Sequence, residues 1–306
     1  MDIGVVIVTF NRIKELKNAI SKYENQLKKP KYIIIVNNNS NDGTKTFLEE
    51  WIKKSNEIEK YIVNLNENIG GSGGFYSGLE MASKIDCDWI WVADDDAYPD
   101  EDALLNAEIF LDKNINNKKI AAVCGMVVNN NKIDVAHRRR IKKGIIRISE
   151  EVVGNDEYNK ESFELELFSY VGSIINKEYL KKVGLTEKDY FIYCDDTEHS
   201  YRLSKEGKII CIPSVKIIHD AELQEREEIN WKSYYAIRNR MMFIEKHFSK
   251  KYFIYEYIRN LISIFVRKIK NYRDPYNDLM YSAIQDAKNY KKGIHKIYKP
   301  GWKYIR

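Results

Sequence analysis

Four apolar runs in the first hundred residues, each stopped by a polar turn, decide what this chain can fold into. Residues 3–10 are apolar almost throughout, the pattern of a parallel strand buried on both faces. Asn11-Arg12 stops the run, and Ile13, Leu16, Ala19 and Ile20 then recur at helical spacing. The alternation repeats with a strand over 32–36, a helix over 44–54 and a strand over 61–65. Successive strand–helix units predict right-handed crossovers and an α/β fold, a doubly wound, mostly parallel sheet flanked by helices.

The fourth run, residues 89–97, ends in Asp94-Asp95-Asp96, and Tyr98-Pro99 then breaks the strand. Adjacent carboxylates repel one another, so a fold that clusters three of them calls for a cation nearby. Open α/β sheets bind ligands at the carboxyl ends of their strands. Oxygen ligands in that place suit Mg²⁺ or Mn²⁺ shared with a substrate's phosphates. The plainer alternative is an acidic turn, with Asp100-Glu101-Asp102 starting the next helix.

Three other segments carry chemistry. Residues 37–44 are polar throughout, and their side chains can hydrogen-bond a ligand or their own backbone. In residues 68–75, four glycines (Gly70, Gly71, Gly73, Gly74) precede a helix predicted over 75–83. They allow close backbone approach and aim N–H groups at an anion, unless the loop is simply flexible. Neither a P-loop nor a dinucleotide fingerprint is present. Asp195-Asp196-Thr197-Glu198 opens a helix reaching about residue 205. Asp195 and Glu198 have the spacing of a capping box, and Glu198 pairs with Arg202 at i,i+4. Asp196 is needed by neither device and could act as a general base. His219 closes the last strand region, over 209–218. A lone histidine there is usually structural, but an acidic cluster short of a ligand makes it a metal candidate.

Residues 129–166 are polar, carry His137-Arg138-Arg139-Arg140, and read as an insertion or substrate-facing loop. The triple arginine either meets an anionic substrate or forms a solvated basic patch. With 44% hydrophobic and 31% charged residues, the chain has the composition of a soluble globular protein. No stretch approaches the ~18 consecutive apolar residues of a membrane span. Four scattered cysteines and no recognisable secretory leader point to reduced thiols in a cytosolic protein. The net charge of +5 is uneven: residues 231–306 hold 18 Lys and Arg against 5 Asp and Glu, or +13, leaving −8 for residues 1–230. Such a tail suits an anionic partner: a membrane surface, a phosphate-bearing acceptor or nucleic acid. Its apolar and aromatic residues, among them Tyr234, Ile237, Met241 and Ile244, recur at helical spacing. They fit an interfacial helix, a lid over the site, or a helical subdomain with core-facing aromatics.

Taken in order, Val8-Thr9-Phe10-Asn11-Arg12 and residues 37–44, 68–75, 89–97 and 195–198 resemble the motifs of one family. It is the inverting nucleotide-sugar glycosyltransferases of family 2, GT-A type, and most closely their galactofuranosyl- and rhamnosyltransferase-like branch. The resemblance spans about residues 3–220. It implies a GT-A catalytic domain over 1–230 and a basic, aromatic-rich helical region over 231–306. Thr9, Phe10, Asn11, Arg12, Asn37 and Asn39 would surround the donor's nucleoside, with Asn68, Gly70, Gly71, Gly73 and Gly74 along its sugar and diphosphate. Asp94 and Asp95 would also touch the donor, and Asp94, Asp96 and His219 would hold Mn²⁺ or Mg²⁺. Asp196 would be the base, and Tyr193, Asp195 and Glu198 would face the acceptor. The chain departs from the family in two places: Asn37 stands where many relatives have Asp, and Tyr193-Cys194 where a Trp often precedes the acidic motif.

The donor so implied is a UDP-sugar, UDP-galactofuranose ahead of dTDP-rhamnose, and the acceptor a glycan or lipid-linked oligosaccharide. The cysteines place the chain in the cytoplasm, and the charge and aromatics of the tail would put it at the inner face of the plasma membrane. Two rivals fit less well. A nucleotidyltransferase usually needs a basic residue in its glycine loop, and residues 69–75 have none. A non-enzymatic nucleic-acid-binding protein would show an RNP, helix-turn-helix or zinc pattern, so no nucleic-acid partner is expected.

Overall fold

The computed structural model describes residues 1–55, 57–114, 119–220, 229–270 and 274–304. The first half alternates β1 (Ile3–Thr9), α1 (Ile13–Glu24), β2 (Tyr32–Asn37), α2 (Thr44–Trp51), β3 (Glu59–Asn64), α3 (Gly70–Lys84) and β4 (Trp89–Asp94). After β5 (Ala97–Pro99) and α4 (Ala103–Lys113) come β6 (Ile120–Asn129), β7 (Lys132–Ile133), β8 (Arg138–Lys143) and β9 (Ile148–Val152). β10 (Phe163–Leu165), β11 (Leu167–Phe168), β12 (Ser173–Asn176), α5 (Lys177–Val183), α6 (Asp195–Glu206) and β13 (Lys208–His219) complete the body. Three helices follow: α7 (Trp231–His247), α8 (Lys250–Lys270) and α9 (Pro275–Lys288).

Strands β3, β2, β1 and β4 lie side by side and parallel. Beyond β4 the direction changes: β12 runs antiparallel to both β4 and β6, and β13 lies parallel to β6. The result is a mixed sheet with helices packed on it. Val5 and Ile7 of β1 join the core that holds Leu16, Ala19, Leu48 and Trp51 of α1 and α2. Val6 and Val8 join the opposite core, with Phe75, Leu79 and Ala82 of α3. Alternate side chains thus enter two dry cores, which is why the run carries no polar alternation.

Helix α3 starts at Gly70, so the glycines expected in a loop ahead of it form its first turns. A Cβ on Gly74 would lie 2.5 Å from Val8 Cγ1, and one on Gly78 would lie 2.4 Å from Val6 Cγ1. The missing side chains let the helix rest directly on β1. Gly74→Ala is therefore expected to cost about 1–3 kcal/mol by overpacking. Gly71→Ala, with nothing within 4 Å of its Cβ, is the control. Thermal unfolding should show a lowered midpoint for the first variant alone; equal midpoints would refute this packing role.

Residues 129–166 are a structured unit and not a loop. Strands β11, β8 and β9 form a three-stranded antiparallel sheet, while β7 and β10 join the main one. The arginine triplet is no solvated patch. Arg138 is fully buried and donates to the carbonyl oxygens of Gly125, His137 and Val171 at 2.8–2.9 Å. Arg140 pairs with Glu157 at 3.2 Å. The last strand region, read over 209–218 as one strand or two, is a single strand with a register shift between Ile212 and Lys216. Pro213, which has no N–H to donate, lies inside that shift.

The C-terminal helices share cores with the body. Leu167, Tyr190 and Tyr201 cluster with Met241, Phe243, Ile264 and Ile284. Phe191 joins Tyr234, Tyr235, Leu279 and Tyr298. The tail's aromatics on α7 are thus largely core residues. Among the described residues, no helix is long and apolar enough to cross a membrane.

Candidate active site

The strand order 3-2-1-4 makes the border of β1 and β4 the topological switch point, where open α/β sheets bind their ligands. Val8 stands opposite Asp94, so Thr9 and Asp95 leave the sheet together. A cleft of about 440 Å³ opens there, lined by Thr9, Phe10, Arg12, Asn38, Asn68, Gly70, Gly71, Asp94, Asp95, Asp96 and His219, among others. A larger cavity, about 610 Å³, lies beside Met1, Trp89 and Ile120 at the starts of β1, β4 and β6. We place the site at the smaller one, because the carboxylates converge there.

Thr9 Oγ1 donates to Asp95 Oδ2 at 2.6 Å. Arg12 Nη1 lies 2.7 Å from Asp96 Oδ2 and 3.3 Å from Asp95 Oδ1. The antiparallel pairing of β5 with β13 sets His219 opposite Ala97, and the Asp220 N–H bonds the Asp96 carbonyl at 3.0 Å. His219 Nε2 thereby comes to 3.5 Å from Asp96 Oδ1. Burial, followed by the charges of Asp96, Asp95, Asp195 and Asp196, raises the pKa of Asp94 well above the ordinary range. Burial also lifts Asp95 to about 7, against the pull of Thr9 and Arg12. At Asp96 burial is outweighed by His219 and Arg12, and the carboxyl drops to about 2.

The donor set, carboxylate oxygens with one imidazole, fits a divalent cation. His219 Nδ1 is buried without a hydrogen-bond partner among the described residues. An ion or an ordered water would satisfy it. Asp134 and His137 also approach His219, with ligand atoms of all three within 4.8 Å of one another. His137 is held by Ser169 Oγ at 2.5 Å and by Asp134 at 3.3 Å.

Asn38 organises the glycine turn. Its Oδ1 accepts from the Ile69 N–H at 3.0 Å, and its Nδ2 donates to Asn68 Oδ1 and the Gly70 carbonyl at 3.1 and 3.0 Å. Gly70 has φ +76°, and a Cβ there would sit 1.9 Å from the Phe191 carbonyl oxygen, so this position requires glycine. Asn11, Asn37, Asn39, Gly73 and Gly74, expected around the donor, are not among the residues lining the cleft. Asn37 instead bonds Asn64 Oδ1 and the Ser40 N–H at 2.9 Å each, and Asn11 Oδ1 accepts from the Asn41 N–H at 2.7 Å.

The second acidic centre is held by the tail. Phe191, Tyr193 and Cys194 all have φ near +65°. Asn239 of α7 stabilises that unusual backbone by donating to the carbonyls of Tyr190, Ile192 and Tyr193 at 2.8–3.0 Å. Helix α6 then begins at Asp195 with no side-chain cap on its N-cap residue, Cys194, so the capping box read from the sequence is not formed. Glu198 is fully buried and accepts from Arg202, Lys246 and His247 at 2.8–3.0 Å. Those contacts hold α6 against α7 and use the carboxylate that the sequence suggested for the acceptor. Asp196 is half-buried, and its Oδ1 accepts from the Thr197 N–H and hydroxyl at 2.6 and 3.2 Å. Burial raises its pKa, opposed first by Arg139, which also donates to Thr197 Oγ1 at 3.0 Å. Burial and the Asp196 charge lift Asp195 to about 7. Tyr193 is exposed beside this pair.

The model of the family described as glycosyl transferase family 2 matches residues 4–184. The chain belongs to glycosyl transferase family 2. Galactofuranosyltransferase GlfT1 of Mycolicibacterium smegmatis is 24% identical over 207 residues, covering 66% of this chain and 65% of that protein. The dTDP-rhamnosyl transferase RfbF of Shigella flexneri is 25% identical over 220 residues, 71% of this chain and 69% of the other. Among solved structures, GalNAc-T7 with UDP, GalNAc and Mn²⁺ superposes with a TM-score of 0.64 at 14% identity, over 94% of this chain and 56% of that one. The fold is thus the GT-A type, as the motif order implied.

In this family 2 chain, sequence reasoning missed Asn38, Trp231, Lys232 and Pro300, which also line the cleft. Asn38 stood inside the polar segment and had the right chemistry. Trp231, Lys232 and Pro300 lie after the last motif, and no local pattern ties them to the strand ends.

Proposed function

We propose that the chain moves a sugar from a nucleoside-diphosphate donor onto a hydroxyl acceptor, inverting the anomeric centre, with Mn²⁺ or Mg²⁺ bound. What supports this reading is the cluster of Asp94, Asp95 and Asp96 in the switch-point cleft, reached also by the Phe191-Ile192 turn that leads into Asp195 and Asp196. Those two do not line the cleft but add their charge to the forces that raise the pKa of Asp94. In this reading Asp94, Asp96 and His219 hold the cation. A cation held there would offset the charge of the departing nucleoside diphosphate. Arg12 and Lys232 bring two further cationic side chains to the same cleft. Asn38 and Gly70 shape the turn on which the donor rests. Thr197 engages Oδ1 of Asp196, leaving Oδ2 to take the proton of the acceptor hydroxyl. That oxygen attacks the anomeric carbon as the diphosphate leaves. One displacement of this kind needs no carboxylate nucleophile, which sets it apart from retaining hydrolysis.

The favoured donor is UDP-galactofuranose, because galactofuranosyltransferases are similar over two thirds of the chain. The similarity to RfbF makes dTDP-rhamnose the second choice. The acceptor is a growing cell-surface glycan or a lipid-linked oligosaccharide, met on the cytoplasmic side of the membrane. A thermal-shift panel of UDP-galactofuranose, dTDP-rhamnose and GDP-mannose, each with and without Mn²⁺, tests the donor. A ligand at 100 times its Kd adds ~2.7 kcal/mol of stability. The largest metal-dependent shift should come from UDP-galactofuranose. A larger one from dTDP-rhamnose would reverse the order, and no metal-dependent shift with any sugar nucleotide would overturn the donor reading.

A further inference from the structure

Helix α8 is apolar on two opposite sides. Phe253 and Ile264 turn inward, together with Glu256 and Asn260. On the other side Ile254, Ile258, Ile262, Phe265, Val266 and Ile269 are 43–71% exposed. Their spacing of three and four keeps them on one stripe, roughly 24 Å long at 1.5 Å per residue. An apolar strip of this length is not ordinary surface.

Its borders are basic. At about 100° per residue, Arg259 and Lys270 fall along one edge and Lys250 and Lys268 along the other, all of them exposed. The acidic residue of α8, Glu256, is buried on the inner side, where Arg259 reaches it at 2.6 Å. A second copy of this helix would therefore set basic edges against basic edges, with no carboxylate to answer them. Nucleic acid would meet the positive edges but gain little from a stripe of five aliphatic residues with one aromatic, Phe265, because stacking on bases needs aromatic rings. An anionic lipid surface satisfies both features, apolar depth in the middle and negative headgroups at either side.

We propose that α8 lies in the plane of an anionic membrane surface. The isoleucines and Phe265 enter the acyl boundary, and the bordering lysines extend to the headgroups. The helix lies on the bilayer and does not cross it.

Flotation of the full-length protein with phosphatidylglycerol/phosphatidylcholine vesicles, and with phosphatidylcholine alone, tests this. The protein should float with the anionic vesicles at low salt, lose most of that binding at high salt, and stay with the soluble fraction when the vesicles are neutral. The variant Ile258→Ser/Ile262→Ser/Phe265→Ser should keep its melting midpoint, because the three positions are exposed. Its partition onto anionic vesicles should drop by at least about tenfold. A border variant, Lys250→Glu/Lys268→Glu, should also release the protein, and it decides the matter if the stripe variant does not fold. Unchanged flotation of a folded stripe variant would overturn the proposal, and so would equal binding to neutral vesicles. A dimer in sedimentation equilibrium that the stripe variant dissociates would overturn it in favour of a second copy.

Discussion

Asp196→Asn is expected to lower turnover by about 10²–10⁴-fold, the usual worth of a general base, while donor affinity holds. The amide keeps the size of the side chain and still offers an oxygen to the Thr197 N–H and hydroxyl that now bond Oδ1. Helix α6 should therefore start as before. What the amide cannot do is accept the acceptor's proton. Burial raises the pKa of Asp196, and Arg139 only partly reverses it. The active form is the deprotonated one, so the rate should rise with pH through that pKa, with its acid limb above the usual aspartate range near 3.8. The limb should vanish in the variant. Initial rates across pH, with donor binding by calorimetry, check both parts. A normal rate for Asp196→Asn alongside a crippled Asp195→Asn would move the role to the neighbouring carboxylate.

Asp96→Ala should be at least as damaging. Asp96 touches both Arg12 and His219, and of the three acidic neighbours it is the one whose pKa is lowered, so it is ionised and ready for a cation. A Lewis-acid cation contributes several kcal/mol to a charged transition state, and each 1.36 kcal/mol is tenfold in rate. A loss on the order of 10³-fold or more follows. The variant's nucleotide binding should stop responding to Mn²⁺, and excess EDTA should reproduce the defect in the wild type. The Arg12 side chain is 40% exposed and can turn to water when its partner is removed, so folding should survive. Full activity of the wild type in excess EDTA would refute the metal reading.

The parallel half of the sheet was readable because burial on both faces leaves an unbroken apolar run, visible without any partner strand. Asp94–Asp96 stood out because three adjacent carboxylates at a strand end repel one another, and Asp196 because neither the capping box nor the i,i+4 pair needs it. The arginine-rich strand β8 was not readable. Its alternating contacts satisfy carbonyls and carboxylates, and a charged run with that fate looks like solvated surface. Glu198 was misread for a related reason: helix spacing identified Arg202 but not Lys246 and His247, which reach it from α7.

By itself, then, the sequence determined the α/β class, the order of strands and helices through β4, and which carboxylates to suspect. Each of those follows from periodicity or from neighbours within a few residues. Tertiary structure alone decided that His219 meets Asp96 through the β5–β13 pairing, that Gly74 is there for helix-to-strand contact, and that Asn239 shapes the loop ahead of Asp195. It also brought Lys232 into the cleft and left one side of α8 uncovered. These depend on which distant segments come to lie side by side, and local spacing holds no record of that.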